Sequence, residues 1–98
     1  MMEETIHLVA EPEKNRAALY DGTKEIGECT YVRNGSYWTL NHTKVDANYG
    51  GRGLAGALVR KVADMARKEH VGILPTCEYA AALFQRKEKE FADVWVRE

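Results

Sequence analysis

Two stretches of this 98-residue chain carry side chains that could do chemistry. The first is Asn48-Tyr49-Gly50-Gly51-Arg52-Gly53-Leu54-Ala55-Gly56, a glycine-rich turn ahead of an amphipathic run. The first N–H groups of a helix have no partner within it, and the macrodipole adds partial positive charge there. Glycines let the backbone approach a phosphate closely, and Arg52 adds a charged, forked donor, so the chemistry is anion binding. A Walker-type loop is excluded, because no Gly-Lys-Ser/Thr is present. Gly51-x-Gly53-x-x-Gly56 matches a dinucleotide string, but the acidic residue required after a second strand is missing. The same glycines would also serve a bare strand-to-helix corner.

The second stretch is Pro75-Thr76-Cys77-Glu78-Tyr79. A thiol at a helix start gains thiolate character, so Cys77 could accept an acyl group or give a proton to a departing sulfur. It could equally be a small buried residue filling a gap. Strict alternation puts His42 on one strand face with Trp38 and Leu40, where it is either a satisfied structural residue or a base for an incoming amine. Tyr79 reads by itself as a core aromatic with its hydroxyl anchored. Cys29 reads as packing. His7 and His70 have no metal-ligand spacing to each other or to either cysteine, so no metal is expected.

The elements that must position these groups fall into two halves. Asp21-Gly22 and Asn34-Gly35 are hairpin turns between antiparallel strands expected near Arg16–Tyr20, Glu25–Val32 and Ser36–Asp46. Ile6-His7-Leu8-Val9 reads as a weak edge strand that Pro12 interrupts. After Asn48 the period changes. Leu54, Ala55, Leu58, Val59, Val62, Ala63, Met65 and Ala66 mark a helix over Leu54–Glu69. Ile73-Leu74-Pro75 suits a short buried strand, and a second helix is expected from near Cys77 to Phe91, with Ala80, Leu83 and Phe84 as its apolar stripe. The tail from Asp93 to Glu98, with Val94-Trp95-Val96, should pack back on the body. The expected class is α+β: one domain over residues 1–98, with a mixed, mostly antiparallel sheet, a right-handed β-α-β crossover and two main helices.

Composition narrows the function classes. The chain is 45% hydrophobic and 30% charged, with a formal net charge of -1. A disordered chain and a broad basic nucleic-acid footprint are both excluded. No run approaches the roughly 20 apolar residues of a membrane span. Met1-Met2-Glu3-Glu4 is acidic, unlike a signal peptide, and two cysteines form no disulfide framework, so a reducing cytoplasm is the expected location.

Three blocks in order carry a family resemblance: His42-Thr43-Lys44-Val45, then Tyr49-Gly50-Gly51-Arg52-Gly53-Leu54-Ala55, then Pro75-x-Cys77-x-Tyr79. Together they resemble the short, single-domain branch of the Gcn5-related N-acetyltransferases, from about Asn15 to about Phe91. The family's pyrophosphate motif, Gln/Arg-x-x-Gly-x-Gly/Ala, is matched at Gly51 and Gly53, with Asn48 at its first position. The short branch usually closes its last helix with a His-Pro step, where this chain continues Arg86-Lys87-Glu88-Lys89-Glu90.

The resemblance implies an acetyl-coenzyme A-dependent N-acetyltransferase. Backbone groups of Thr43, Lys44 and Val45 would face the pantetheine arm, and Tyr49 to Ala55 would cradle the diphosphate, with Arg52 as charged helper. Phe84 would add a contact; the Arg86-Lys87-Glu88-Lys89-Glu90 run itself reads as a solvated helix face, with Arg86 or Lys87 on the 3′-phosphate as the minority reading. Cys77, His42 and Tyr79 are the implied catalytic set, with transfer to an amine either direct or through Cys77. The competing readings are a coenzyme A-binding interaction module with little or no catalysis, and a plain structural domain. Longer members fold helices over the acceptor side between their first strands, and this chain has only the meander there. The acceptor, a small molecule or a protein, should therefore meet an open surface, or one completed by a partner or by a second copy in a homodimer.

Overall fold

Two tight hairpins and one crossover build the sheet. The computed structural model describes residues 5–97. Residues 1–4, on which the signal-peptide expectation falls, and residue 98, the last of the tail, lie outside the described residues. Strands β1 (Ile6–Glu11), β2 (Arg16–Asp21), β3 (Lys24–Arg33) and β4 (Tyr37–Val45) run antiparallel in sequence order. Gly22 and Gly35 take the left-handed conformation in the hairpin loops, with φ of 63° and 81°, as the strand twist demands. β1 is stronger than its short apolar run suggests. It pairs with β2 from Ile6↔Asp21 to Glu11↔Arg16. Pro12 does not cut it but opens a one-turn 3-10 helix, Pro12–Lys14, just after it.

Helix α1 (Leu54–Glu69) then crosses the sheet and returns the chain to β5 (Gly72–Pro75), which lies parallel to β4. The strand order is β1-β2-β3-β4-β5, the mixed, mostly antiparallel α+β arrangement expected from the sequence. Leu58, Val59, Val62, Ala63 and Ala66 of α1 are fully buried against Ala17, Leu19, Leu40 and Ile73. Each of the buried leucines, valines and isoleucines contributes about 1.5–3 kcal/mol on burial. Packing, rather than the helix ends, thus fixes where the first turn of α1 points.

The second helix is not continuous to Phe91. α2 spans Glu78–Arg86, Lys87 leaves the helical conformation (φ -117°, ψ 49°), and α3 follows at Glu88–Phe91. Phe84 and Phe91 explain the break. Seven residues of straight helix would set them roughly 10 Å apart along the axis, yet their rings stack at 4.3 Å. The break folds Phe91 back onto Phe84, and Trp95 meets Phe84 edge-on at 5.7 Å. The tail packs back as expected: the Ile73 N–H donates to Val94 O at 2.6 Å and the Val96 N–H to Ile73 O at 2.8 Å. Position 72 must be glycine for this, since a Cβ there would sit 2.5 Å from Val96 Cγ2.

Candidate active site

The turn before α1 leaves the first turn of the helix uncapped by any side chain. Asp46 caps a preceding 3-10 turn, Ala47–Tyr49, by accepting the Asn48 N–H at 2.9 Å. That carboxylate lies too early in the chain to cap α1. Gly51 and Gly53 have φ of 77° and 74°, and a Cβ on either would meet no protein atom within 4 Å. Glycine is needed there for backbone conformation, and the space beside it is open. The first α1 hydrogen bond runs from the Ala57 N–H to Gly53 O, 3.1 Å. Among the described residues, the N–H groups of residues 51–56 have no acceptor, and α1 has neither a capping side chain nor an acidic residue in its first turn. Arg52 stacks over the Tyr49 ring at 5.4 Å and forms no ion pair among the described residues. Tyr49 is held in turn by its hydroxyl, which donates to Asp21. That bond raises the phenol's pKa, and with a bond from Thr5 it lowers the pKa of Asp21. Leu54 and Ala55 are half-buried. The residues present therefore fit a diphosphate.

The second half of the site is a fork in the sheet. β5 accompanies β4 only as far as Leu40↔Pro75. Leu40 O then accepts the N–H groups of Thr76 (3.0 Å) and Cys77 (3.1 Å) and the Thr76 hydroxyl (3.3 Å), and the chain departs into α2. From Asn41 to Val45, β4 has β3 on one side and no strand on the other among the described residues. This bare edge, which includes Thr43, Lys44 and Val45, runs from the fork to the glycine turn.

A bulge corrects one expectation. Tyr31 pairs with Leu40, but Thr30 pairs with His42, so Asn41 is an extra residue on β4. An extra residue shifts every later side chain to the other face. His42 is not on the Trp38–Leu40 face; it faces the uncovered side of the sheet, with Nε2 3.6 Å from Glu28 Oε2. Thr43 takes the inward place instead. Its hydroxyl lies 3.5 Å from both Cys77 Sγ and Cys29 Sγ. Cys77 is half-buried at the N-cap of α2, and Cys29 is fully buried, where desolvation pushes its pKa up to about 12.

The other expected residues divide. Tyr79 is exposed and lies over the first turns of α1: a Cβ on Gly56 would be 3.3 Å from the Tyr79 hydroxyl. Arg86 is exposed at the far end of α2 and forms no ion pair among the described residues. Phe84 lies in the core, fully buried against Phe91 and Trp95, on the apolar stripe expected of this helix.

Two features had no signal in the sequence. The inward Thr43 hydroxyl depends on a bulge that no glycine or proline marks. On the uncovered face, Arg16 donates to Glu11 (2.7 Å), Glu28 (2.8 Å) and Glu25 (3.0 Å). Burial opposes the Arg16 charge, but these carboxylates hold its pKa above the ordinary value. Three carboxylates around one guanidinium leave this face, beside His42, net acidic.

Among the described residues, no group of three or more metal-ligating side chains is close enough to hold an ion, and no helix is long and apolar enough to cross a membrane. A family model described as GCN5-related N-acetyl-transferase matches residues 16–94. No curated protein is detectably similar in sequence. The fold is similar to the solution structure of a GCN5-like N-acetyltransferase-type protein from Staphylococcus aureus, with TM-score 0.74 and 22% identity, covering 99% of this chain and 93% of that one.

Proposed function

The chain belongs to the GCN5-related N-acetyltransferase family, and from that premise we propose that it binds acetyl-coenzyme A and passes the acetyl group to an amine, with Cys77 as its active-site thiol. One observation carries the reading. Six unpartnered N–H groups, the bare edge of β4 and the Cys77 thiol follow one another along a single stretch of surface. The N–H groups of residues 51–56 and the Arg52 guanidinium would hold the diphosphate. Backbone groups of Thr43, Lys44 and Val45 would hold the pantetheine amides as an added strand does. Arg86, free at the end of α2, would take the 3′-phosphate.

When bound, the coenzyme supplies a thioester whose carbonyl carbon is open to attack. Cys77 and His42 stand on opposite faces of β4, so their roles separate. Cys77 either takes the acetyl group itself or gives its proton to the departing sulfur, and Tyr79 is the second candidate donor. His42, beside Glu28 on the acidic open face, is placed to accept a proton from an ammonium arriving there. The acidity of that face suits a cationic acceptor.

The open face also favours a second reading. No element among the described residues covers it, so no walled acceptor pocket is built, and coenzyme A binding with little or no catalysis fits that surface. Two measurements decide. Calorimetric titration of coenzyme A should show binding in the native protein and none in Gly51→Glu; binding that survives the substitution removes the site assignment. Intact mass after exposure to acetyl-coenzyme A should show a gain of one acetyl group that is absent in Cys77→Ser. Turnover of amines without that gain, and retained in Cys77→Ser, would leave direct transfer. Binding with neither gain nor turnover would leave the module.

A further inference from the structure

We infer that the Thr43 side chain, braced by the Cys29 thiol, is a positioning residue for the Cys77 thiol. The inference rests on the reading of Cys77 as the active-site thiol. Its first support is connectivity. The Cys77 thiol donates to Thr43 Oγ1 at 3.5 Å, the Thr43 hydroxyl donates to Cys29 Sγ at 3.5 Å, and Cys77 Sγ has no other hydrogen-bond partner among the described residues.

The second support is the bulge at Asn41. A regular strand would turn Thr43 outward and leave Cys77 facing His42; the extra residue exchanges them. The third is the character of Cys29. It is fully buried and held as a neutral thiol by desolvation, so it always has a proton to give.

These facts define a switchable chain. With Cys77 protonated, protons point from Cys77 to Thr43 to Cys29. When Cys77 loses its proton, the Thr43 hydroxyl rotates to donate to the thiolate, and the Cys29 S–H turns to donate to the Thr43 oxygen. With Cys77 as thiolate every polar atom of the chain is satisfied, as a buried network requires; with Cys77 protonated, the weak Cys29 S–H donor has no acceptor among the described residues. In the transfer, Cys77 Sγ bonds to the acetyl carbonyl carbon. The bond from that carbon to the coenzyme sulfur breaks with its electron pair, and the Cys77 proton ends on that sulfur. The Thr43 hydroxyl touches neither acetyl nor coenzyme; it orients the sulfur and stabilises its anion.

The test separates this role from the reading beneath it by using a thiol reagent rather than the coenzyme. Alkylation of Cys77 by iodoacetamide is followed by intact mass at pH 7.5, with Cys77→Ser identifying the site. One lost hydrogen bond to an ion should slow alkylation roughly 3- to 10-fold in Thr43→Val. Thr43→Ser should restore the native rate, because it keeps the hydroxyl. Thr43→Ala carries the same expectation should the valine variant fail to fold. A native alkylation rate in Thr43→Val or Thr43→Ala overturns the inference, as does a slow rate that serine does not rescue. A serine-rescued slowing in a protein that never takes up acetyl leaves the positioning intact and removes only the role assigned to Cys77.

Discussion

The two ends of α1 are finished in opposite ways. At the C-terminal end, His70 adopts the left-handed conformation and its N–H bonds to Ala66 O and Arg67 O, while the Val71 N–H also reaches Ala66 O. Arg67 and Lys68 place positive charge in the last turn, as the macrodipole favours. Arg67 alone grips Asp93 at 2.8 and 3.0 Å, Asp64 at 2.9 Å and the Glu90 carbonyl at 2.9 Å. At the N-terminal end there is a glycine cap, no side-chain bond and no acid. A helix normally gains about 1 kcal/mol from an N-cap side chain, and this one forgoes it. The neighbouring 3-10 turn, by contrast, is capped by Asp46. The sequence thus supplies a capping carboxylate one turn away from α1 and leaves α1 bare, which fits an end whose donors are reserved for an anion.

That comparison breaks most sharply at Gly51. Gly51→Glu forces a side chain into a left-handed position, at about 1–2 kcal/mol, and puts a carboxylate where a phosphate should sit. Coenzyme A binding should weaken at least 100-fold, while the protein stays folded by circular dichroism, because no protein atom lies near a Cβ there. Ala55→Glu sharpens the same point with opposite signs. A carboxylate in the first turn should stabilise the helix by about 0.5 kcal/mol yet reduce coenzyme A affinity about tenfold. Stability comes from urea unfolding and affinity from calorimetry. If both rise together, the bare end serves no anion.

How much of this was legible follows from what local patterns encode. The period change after Asn48 gave α1 to the residue, because apolar positions three and four apart dictate one buried face. The hairpin glycines gave both turns, and Gly51 and Gly53 gave the bare helix end. What stayed hidden was non-local. The bulge at Asn41 arises from pairing between β3 and β4, and it exchanged His42 for Thr43. The break at Lys87, which lets Phe91 stack back on Phe84, depends on packing across it rather than on any local signal. Arg16 met its three glutamates only once β1, β2 and β3 were side by side.

The smaller effects belong to the capped end. Arg67→Ala should cost about 1 kcal/mol at pH 7, the upper range for a partly exposed ion pair, since it removes several contacts at once. Coenzyme A affinity should not change. The pH dependence of that loss is the finest test. The Arg67 hydrogen bond holds Asp93 below the ordinary carboxylate range, and the Arg60 hydrogen bond does the same for Glu90. A depressed carboxyl pKa contributes stability that is full above the unfolded-state value, near 4, and is lost as pH falls through the folded value. The native Tm should therefore drop more steeply than that of Arg67→Ala as the pH goes from 5 toward 2, and the two curves should converge. Asp93 is largely exposed, with 61% of its side chain accessible, so salt should shrink the gap at pH 7 as well. A gap that is equal at pH 7 and pH 3 and indifferent to salt would mean that the aliphatic stem of Arg67, packed over the end of α1, stabilises this end rather than its charge.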